Sequence, residues 1–177
     1  MSLKKPLFCL AMLFTNLTHA GSFYLYPSAL LQSITAEDSS YRGVSPRLGV
    51  GYGTILGQSF FLAGEAGAMV GTAILSNNIG DTGISLRVNR AYDFSLLPGM
   101  LFSEGTMGYL RLGVSSSNFT GPNEKVTGGI LGVGLQLNVI NCWFIRGEYF
   151  YTAYGPVSDL GNPVSDTFAL GVVYTFK

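Results

Sequence analysis

Asp166-Thr-Phe-Ala-Leu-Gly-Val-Val-Tyr-Thr-Phe176 alternates with a period of two. Phe168, Leu170, Val172, Tyr174 and Phe176 share one face; Thr167, Ala169, Gly171, Val173 and Thr175 share the other. A strand sends successive side chains to opposite faces, whereas a helix would scatter these residues around its axis. One face is bulky and apolar, the other small. Three further stretches repeat the pattern. In 129–139, Leu131, Val133, Leu135, Leu137 and Val139 alternate with Gly132, Gly134, Gln136 and Asn138. In 47–56, Leu48, Val50 and Tyr52 alternate with Arg47, Gly49, Gly51 and Gly53. In 143–153, Trp143, Ile145, Tyr149 and Tyr151 alternate with Phe144, Arg146, Glu148 and Thr152.

Most of the strand charges sit on the small face. A water-soluble barrel would turn its charges outward and its bulky groups inward; here the small, charged, glycine-rich face suits a narrow lumen and the bulky face suits lipid. Composition agrees. Only 11% of the 177 residues are charged while 47% are hydrophobic, and a soluble domain usually carries about 25% charged residues. With formal net charge zero, nothing points to nucleic acid.

Eight strands are expected, near 22–32, 46–56, 59–71, 83–102, 107–118, 127–140, 143–154 and 166–176. Short connections (57–58, 103–106, 141–142) alternate with long ones (33–45, 72–82, 119–126, 155–165), the asymmetry of periplasmic turns and outer loops. Aromatics gather at the predicted periplasmic ends: Phe23/Tyr24, Phe60/Phe61, Phe102, Tyr109, Trp143/Phe144 and Phe176. Such rings suit an interfacial girdle. The fold expected is all-β, an eight-stranded antiparallel up-and-down transmembrane barrel over residues 21–177, placed in the bacterial outer membrane with its lipid as the first partner.

Residues 1–20 read as a cleaved signal peptide. Lys4 and Lys5 are followed by a mostly apolar run, Pro6 to Leu17, and then by Thr18-His19-Ala20, a small-x-small cleavage site. Beyond residue 20 there remain eight cations and ten carboxylates, a net charge of −2.

The stretch Trp143-Phe-Ile-Arg-Gly-Glu-Tyr-Phe-Tyr-Thr-Ala-Tyr154, with Arg146, Glu148 and Tyr149 as Arg-x-Glu-Tyr, resembles the seventh strand of the OmpA-like small outer-membrane barrels. Leu97-Pro98-Gly99 and Tyr109-Leu-Arg-Leu-Gly113 are similar to that family too. Gly171-Val-Val-Tyr-Thr-Phe176 resembles its C-terminal assembly signal, with Lys177 as an addition after the aromatic. The resemblance implies recognition by the barrel-assembly machinery through the last strand, a structural or surface-interaction role, and no reaction. No peptidoglycan-binding domain is expected after the barrel.

Strand parity points Arg47, Glu65, Arg87, Asp93, Arg111, Arg146 and Glu148 into the lumen, four cations against three carboxylates. Isolated charges there would be very costly, so a paired network is expected. Enzymes of this barrel type that act on lipid A rely on a histidine base, and the one histidine is His19, in the signal segment. Glu65 and Glu148 could form an acid–base dyad, but Arg111 and Arg146 share their space, which favours structural pairing. No enzymatic activity, cofactor or metal is expected. The longer loops are the expected contact surfaces for host or surface macromolecules. The first, 33–45, offers Glu37, Asp38, Tyr41 and Arg42, charge and an aromatic on a rigid scaffold. The alternative is a narrow conduit for small solutes.

Signal-peptide cleavage makes the first prediction. N-terminal sequencing of membrane-localised protein should begin at Gly21, and a retained Met1 would contradict it.

Overall fold

A computed structural model of the chain describes residues 21–36, 39–70, 73–76, 85–120, 124–156 and 161–176. The expected signal segment therefore lies outside the described residues. The strands are β1 (Ser22–Ala36), β2 (Ser39–Leu56), β3 (Phe60–Met69), β4 (Ala73–Ser76), β5 (Ser85–Ser103), β6 (Thr106–Thr120), β7 (Glu124–Ile140), β8 (Trp143–Tyr154) and β9 (Val164–Thr175). Every pairing is antiparallel. β1 meets both β2 and β9, which closes the sheet. β3 and β4 both lie between β2 and β5 and occupy one position around the barrel. The result is a closed eight-position antiparallel barrel, with no exposed ladder to satisfy in lipid.

The facing follows the sequence alternation. Leu131, Val133, Leu135, Leu137, Leu170 and Val172 are exposed on the outer wall, while Thr167, Ala169 and Val173 are fully buried inside. On β9 the outer face runs from Asp166 to Phe176. Ten residues at about 3.3 Å each, tilted by about 40°, span about 25 Å, the height of an outer-membrane apolar band. A wall of leucine, valine and aromatic side chains around a charged interior is a transmembrane surface, and its place is the bacterial outer membrane.

The three periplasmic turns are short: 57–59, 104–105 and 141–142. Gly57 and Asn141 take positive φ values of 66° and 48°, the conformation that tight hairpins need and that glycine and asparagine tolerate best. Rings line this end of the outer wall: Phe23 against Tyr52 at 4.9 Å, Trp143 against Tyr174 at 4.8 Å, and Tyr174 against Phe176 at 5.0 Å between centroids. Phe60 and Phe102 are also exposed, but Tyr24, Phe61 and Tyr109 are buried. Those three expected girdle rings point inward because strand parity allows only alternate residues to face lipid.

The outer hairpins differ most from expectation. Instead of a loop over 33–45, β1 and β2 stay paired from Ser33↔Arg42 to Ala36↔Ser39. The expected 72–82 loop contains β4, and the expected 119–126 loop is shortened because β6 reaches Thr120 and β7 starts at Glu124. Beyond the bilayer neither face needs to be apolar, so the alternation fades while the backbone ladder continues.

Leu135, half-exposed midway along the apolar face of β7, tests the facing. Leu135→Arg should lower unfolding free energy in lipid vesicles by about 2–4 kcal/mol, the cost of arginine near a bilayer midplane. Unchanged stability in a denaturant titration would refute the lipid assignment.

Candidate functional site

The lumen is filled in layers. Ile34, Tyr41, Val88 and Val126 form an apolar cluster at the outer end. Leu30, Ile130, Phe150 and Ala169 lie below it. Tyr24, Tyr26, Phe61, Ala63, Leu97, Tyr109 and Val173 cluster towards the periplasm. Between them lies a buried ion network.

Glu65, fully buried on β3, is its acidic centre. Its Oε1 accepts from Arg47 Nη2 at 2.9 Å and Arg111 Nη1 at 3.1 Å. Its Oε2 accepts from Arg146 Nη1 and from the Tyr24 hydroxyl, the latter at 3.0 Å. Arg111 on β6 is the basic counterpart and touches all three carboxylates: Glu65, Asp93 at 2.6 Å and Glu148 at 3.0 Å. Arg47 grips Asp93 with two bonds, Nε to Oδ2 at 2.9 Å and Nη2 to Oδ1 at 2.6 Å. The forked guanidinium makes such bridging possible where an ammonium would act as a point charge.

Neutral groups extend the shell, although Arg47 Nη1 and Arg111 Nε are buried without a hydrogen-bond partner among the described residues. Gln136 Oε1 accepts from Arg146 Nε at 2.9 Å and Nη2 at 2.8 Å. The Tyr109 hydroxyl donates to Glu148 Oε1 at 2.7 Å. Rings flank the cations: the Arg146 guanidinium lies 4.5 Å from the Tyr26 centroid and Arg111 lies 5.2 Å from that of Phe150. Glycines make room for these groups. A Cβ on Gly51 would lie 2.3 Å from the Tyr24 ring, and one on Gly134 would lie 2.2 Å from the Tyr109 ring.

Six of the seven residues expected in the lumen thus meet: Arg47, Glu65, Asp93, Arg111, Arg146 and Glu148. Arg87 is not placed among them. The register of β5 shifts between Val88 and Arg90, and buried Val88 shows that the inward face has changed from odd to even residues. Parity counted from Asp93 therefore fails beyond the bulge, and the Arg87 side chain lies outside the described residues. The expected four-to-three imbalance becomes three cations and three carboxylates. Tyr24 and Tyr109, expected in the girdle, and Gln136, expected only as a member of the small face, also join the network.

The loop candidates separate as well. Glu37 and Asp38 lie outside the described residues. Tyr41 is buried in the outer cluster rather than displayed in a loop, because β2 already includes it. Arg42 is exposed on the outer wall, opposite Ser33. Among the described residues no group of His, Cys, Asp or Glu is arranged to hold a metal ion, and Cys142 is a free thiol in a periplasmic turn.

The network divides the interior. A cavity of about 340 Å³ opens on the periplasmic side and ends at Gln136 and Arg146. On the outer side a cavity of only about 40 Å³ lies beside Arg47 and Asp93.

Among solved structures the chain is similar to Neisserial surface protein A, with TM-score 0.57 and 20% identity over 89% of this chain and 99% of that one. It is similar to Ail, the attachment invasion locus protein of Yersinia pestis, with TM-score 0.55 and 18% identity over 90% and 100%. It is also similar to the outer membrane enzyme PagL, with TM-score 0.51 and 14% identity over 84% and 98%. No protein-family model matches the sequence, and no curated protein does. At these identities the likeness concerns the barrel fold, which carries surface proteins and an enzyme alike.

Arg111 yields a prediction. Arg111→Met should lower unfolding free energy by about 3–5 kcal/mol, because three carboxylates lose a partner in a buried site. Arg42→Gln on the outer wall should stay within about 0.5 kcal/mol of wild type. Equal effects in a denaturant titration would show that the network contributes nothing special.

Proposed function

We propose that this barrel is a non-enzymatic member of the OmpA-like small outer-membrane barrels and acts through its outer hairpins, as a structural or surface-interaction protein. The observation that carries this reading is the paired ion network across the lumen. Glu65 and Glu148, the two carboxylates that could serve as an acid–base pair, are buried and held by arginines and tyrosine hydroxyls. Neither is presented to a substrate. The lipid-facing wall is committed to the bilayer, and the periplasmic turns are two or three residues long. The outer hairpins remain as presenting surface.

Two of the similar structures are a surface protein and an attachment and invasion protein, which favours a surface role over a metabolic one. Assembly would proceed through recognition of β9 and its terminal aromatic Phe176. The apolar outer cluster around Ile34 and Tyr41 packs the outer ends of the described strands together.

Two measurements test the proposal. Pure folded protein in planar bilayers should give no stable conductance, since eight strands leave an interior that side chains fill; reproducible open channels would support the conduit reading instead. Replacing segments 77–84 and 157–160 with short Gly/Ser turns should preserve barrel assembly and reduce adhesion of cells to host surfaces. Adhesion equal to wild type would leave a purely structural barrel.

A further inference from the structure

Outside the lumen, three strands bring a set of polar side chains into register. On the outer wall Arg90 of β5 pairs with Asn118 of β6, which pairs with Lys125 of β7. The next outward row towards the periplasm is Tyr92–Ser116–Thr127, three hydroxyls on the same three strands. The row after that is Phe94–Val114–Gly129. Arg90, Lys125, Tyr92 and Thr127 are exposed. The wall thus grades from two cations, through hydroxyls, to an apolar surface within five residues of each strand.

The height of this gradient is fixed by the lipid-facing band. From Phe102 at the periplasmic rim to Tyr92 is ten residues on β5, about 25 Å at the usual rise and tilt. The hydroxyl row therefore lies at the outer boundary of the hydrocarbon, and the cations one step beyond it. Every cation described in the lumen has a carboxylate partner, whereas Arg90 and Lys125 have none among the described residues. No described carboxylate side chain faces outward on β5, β6 or β7. The opposite wall differs. There Arg42 shares its cross-strand row with Asp166, through Ser33, and that row is neutral.

We infer that the Arg90–Asn118–Lys125 row is a binding site for a phosphate-bearing, acylated lipid of the outer leaflet. The two cations hold the phosphate, the Tyr92–Ser116–Thr127 row faces the ester, amide and hydroxyl groups below it, and the apolar wall receives the acyl chains. The order of chemistry along the wall matches the order along such a lipid. A free anion would use only the top row, and a zwitterionic lipid would set a choline-type cation against the two basic side chains.

Native mass spectrometry of the refolded protein with lipid A, a bisphosphorylated acylated disaccharide, tests this. Wild type should retain one lipid. The double variant Arg90→Gln/Lys125→Gln should lower its affinity on the order of tenfold or more, the combined effect of two basic side chains at an anionic surface. Both residues are exposed, so the variant should fold, as heat-modifiable migration on gels will verify. Arg42→Gln should retain lipid as wild type does, phosphatidylcholine should not be retained, and millimolar inorganic phosphate should not displace lipid A. Equal retention by the double variant would overturn the proposal. So would an equal loss in Arg42→Gln, retention of phosphatidylcholine, or displacement by inorganic phosphate, which would mark a non-specific surface or a small-anion site.

Discussion

Three arginines and three carboxylates are buried together in the lumen, and the rest of the molecule is arranged around that constraint. A buried charge without a partner costs several kcal/mol. The chain meets this by balancing the charges among the described residues and sharing each partner. Glu65 serves three arginines while Arg111 serves three carboxylates. Neutral donors and acceptors from Tyr24, Tyr109 and Gln136 extend the coordination. Such a network specifies one register. A one-residue slip of a strand that carries one of these charges would turn that charge into the bilayer and its apolar side chains into the lumen.

The glycines follow from the same constraint. A lumen that holds guanidinium groups and tyrosine rings has little volume left for other side chains. The strands beside Tyr24 and Tyr109 therefore present hydrogen atoms at Gly51 and Gly134. Once filled, the interior is divided into a periplasmic cavity and a much smaller outer one. On the proposed reading, interaction with the outside passes to the hairpins and to the outer wall, where charge is sparse.

Much of this is legible in strand parity alone. The outward leucines, the six inward charges and the short periplasmic turns all come from the period-two pattern and from glycine and asparagine at tight bends. Parity fails where the backbone departs from it. The irregularity between Val88 and Arg90 inserts one residue, and nothing in Val88-Asn-Arg90 marks a bulge, so counting through it to Arg87 starts from the wrong face. Tyr41 reads as a loop residue because Ser39-Ser-Tyr-Arg-Gly43 lacks the apolar alternation that a bilayer imposes, although the hydrogen-bonded ladder extends through it. Gln136 is visible in the sequence as an inward residue, whereas Tyr24 and Tyr109 read there as girdle rings. Their role depends on barrel closure, which brings residues of β1, β3, β6, β7 and β8 to one centre.

The claim that the network acts as one coupled unit is tested most directly by a double-mutant cycle between Glu65 and Arg146. Unfolding free energies in lipid vesicles would be compared for Glu65→Gln, Arg146→Gln and the double variant. Each single change strands partners in a buried site, so the double variant should lose markedly less than the sum of the two, a coupling in the range of about 1–3 kcal/mol for contacting buried groups. Additive losses, within about 0.5 kcal/mol, would contradict the account and reduce the lumen charges to independent bystanders.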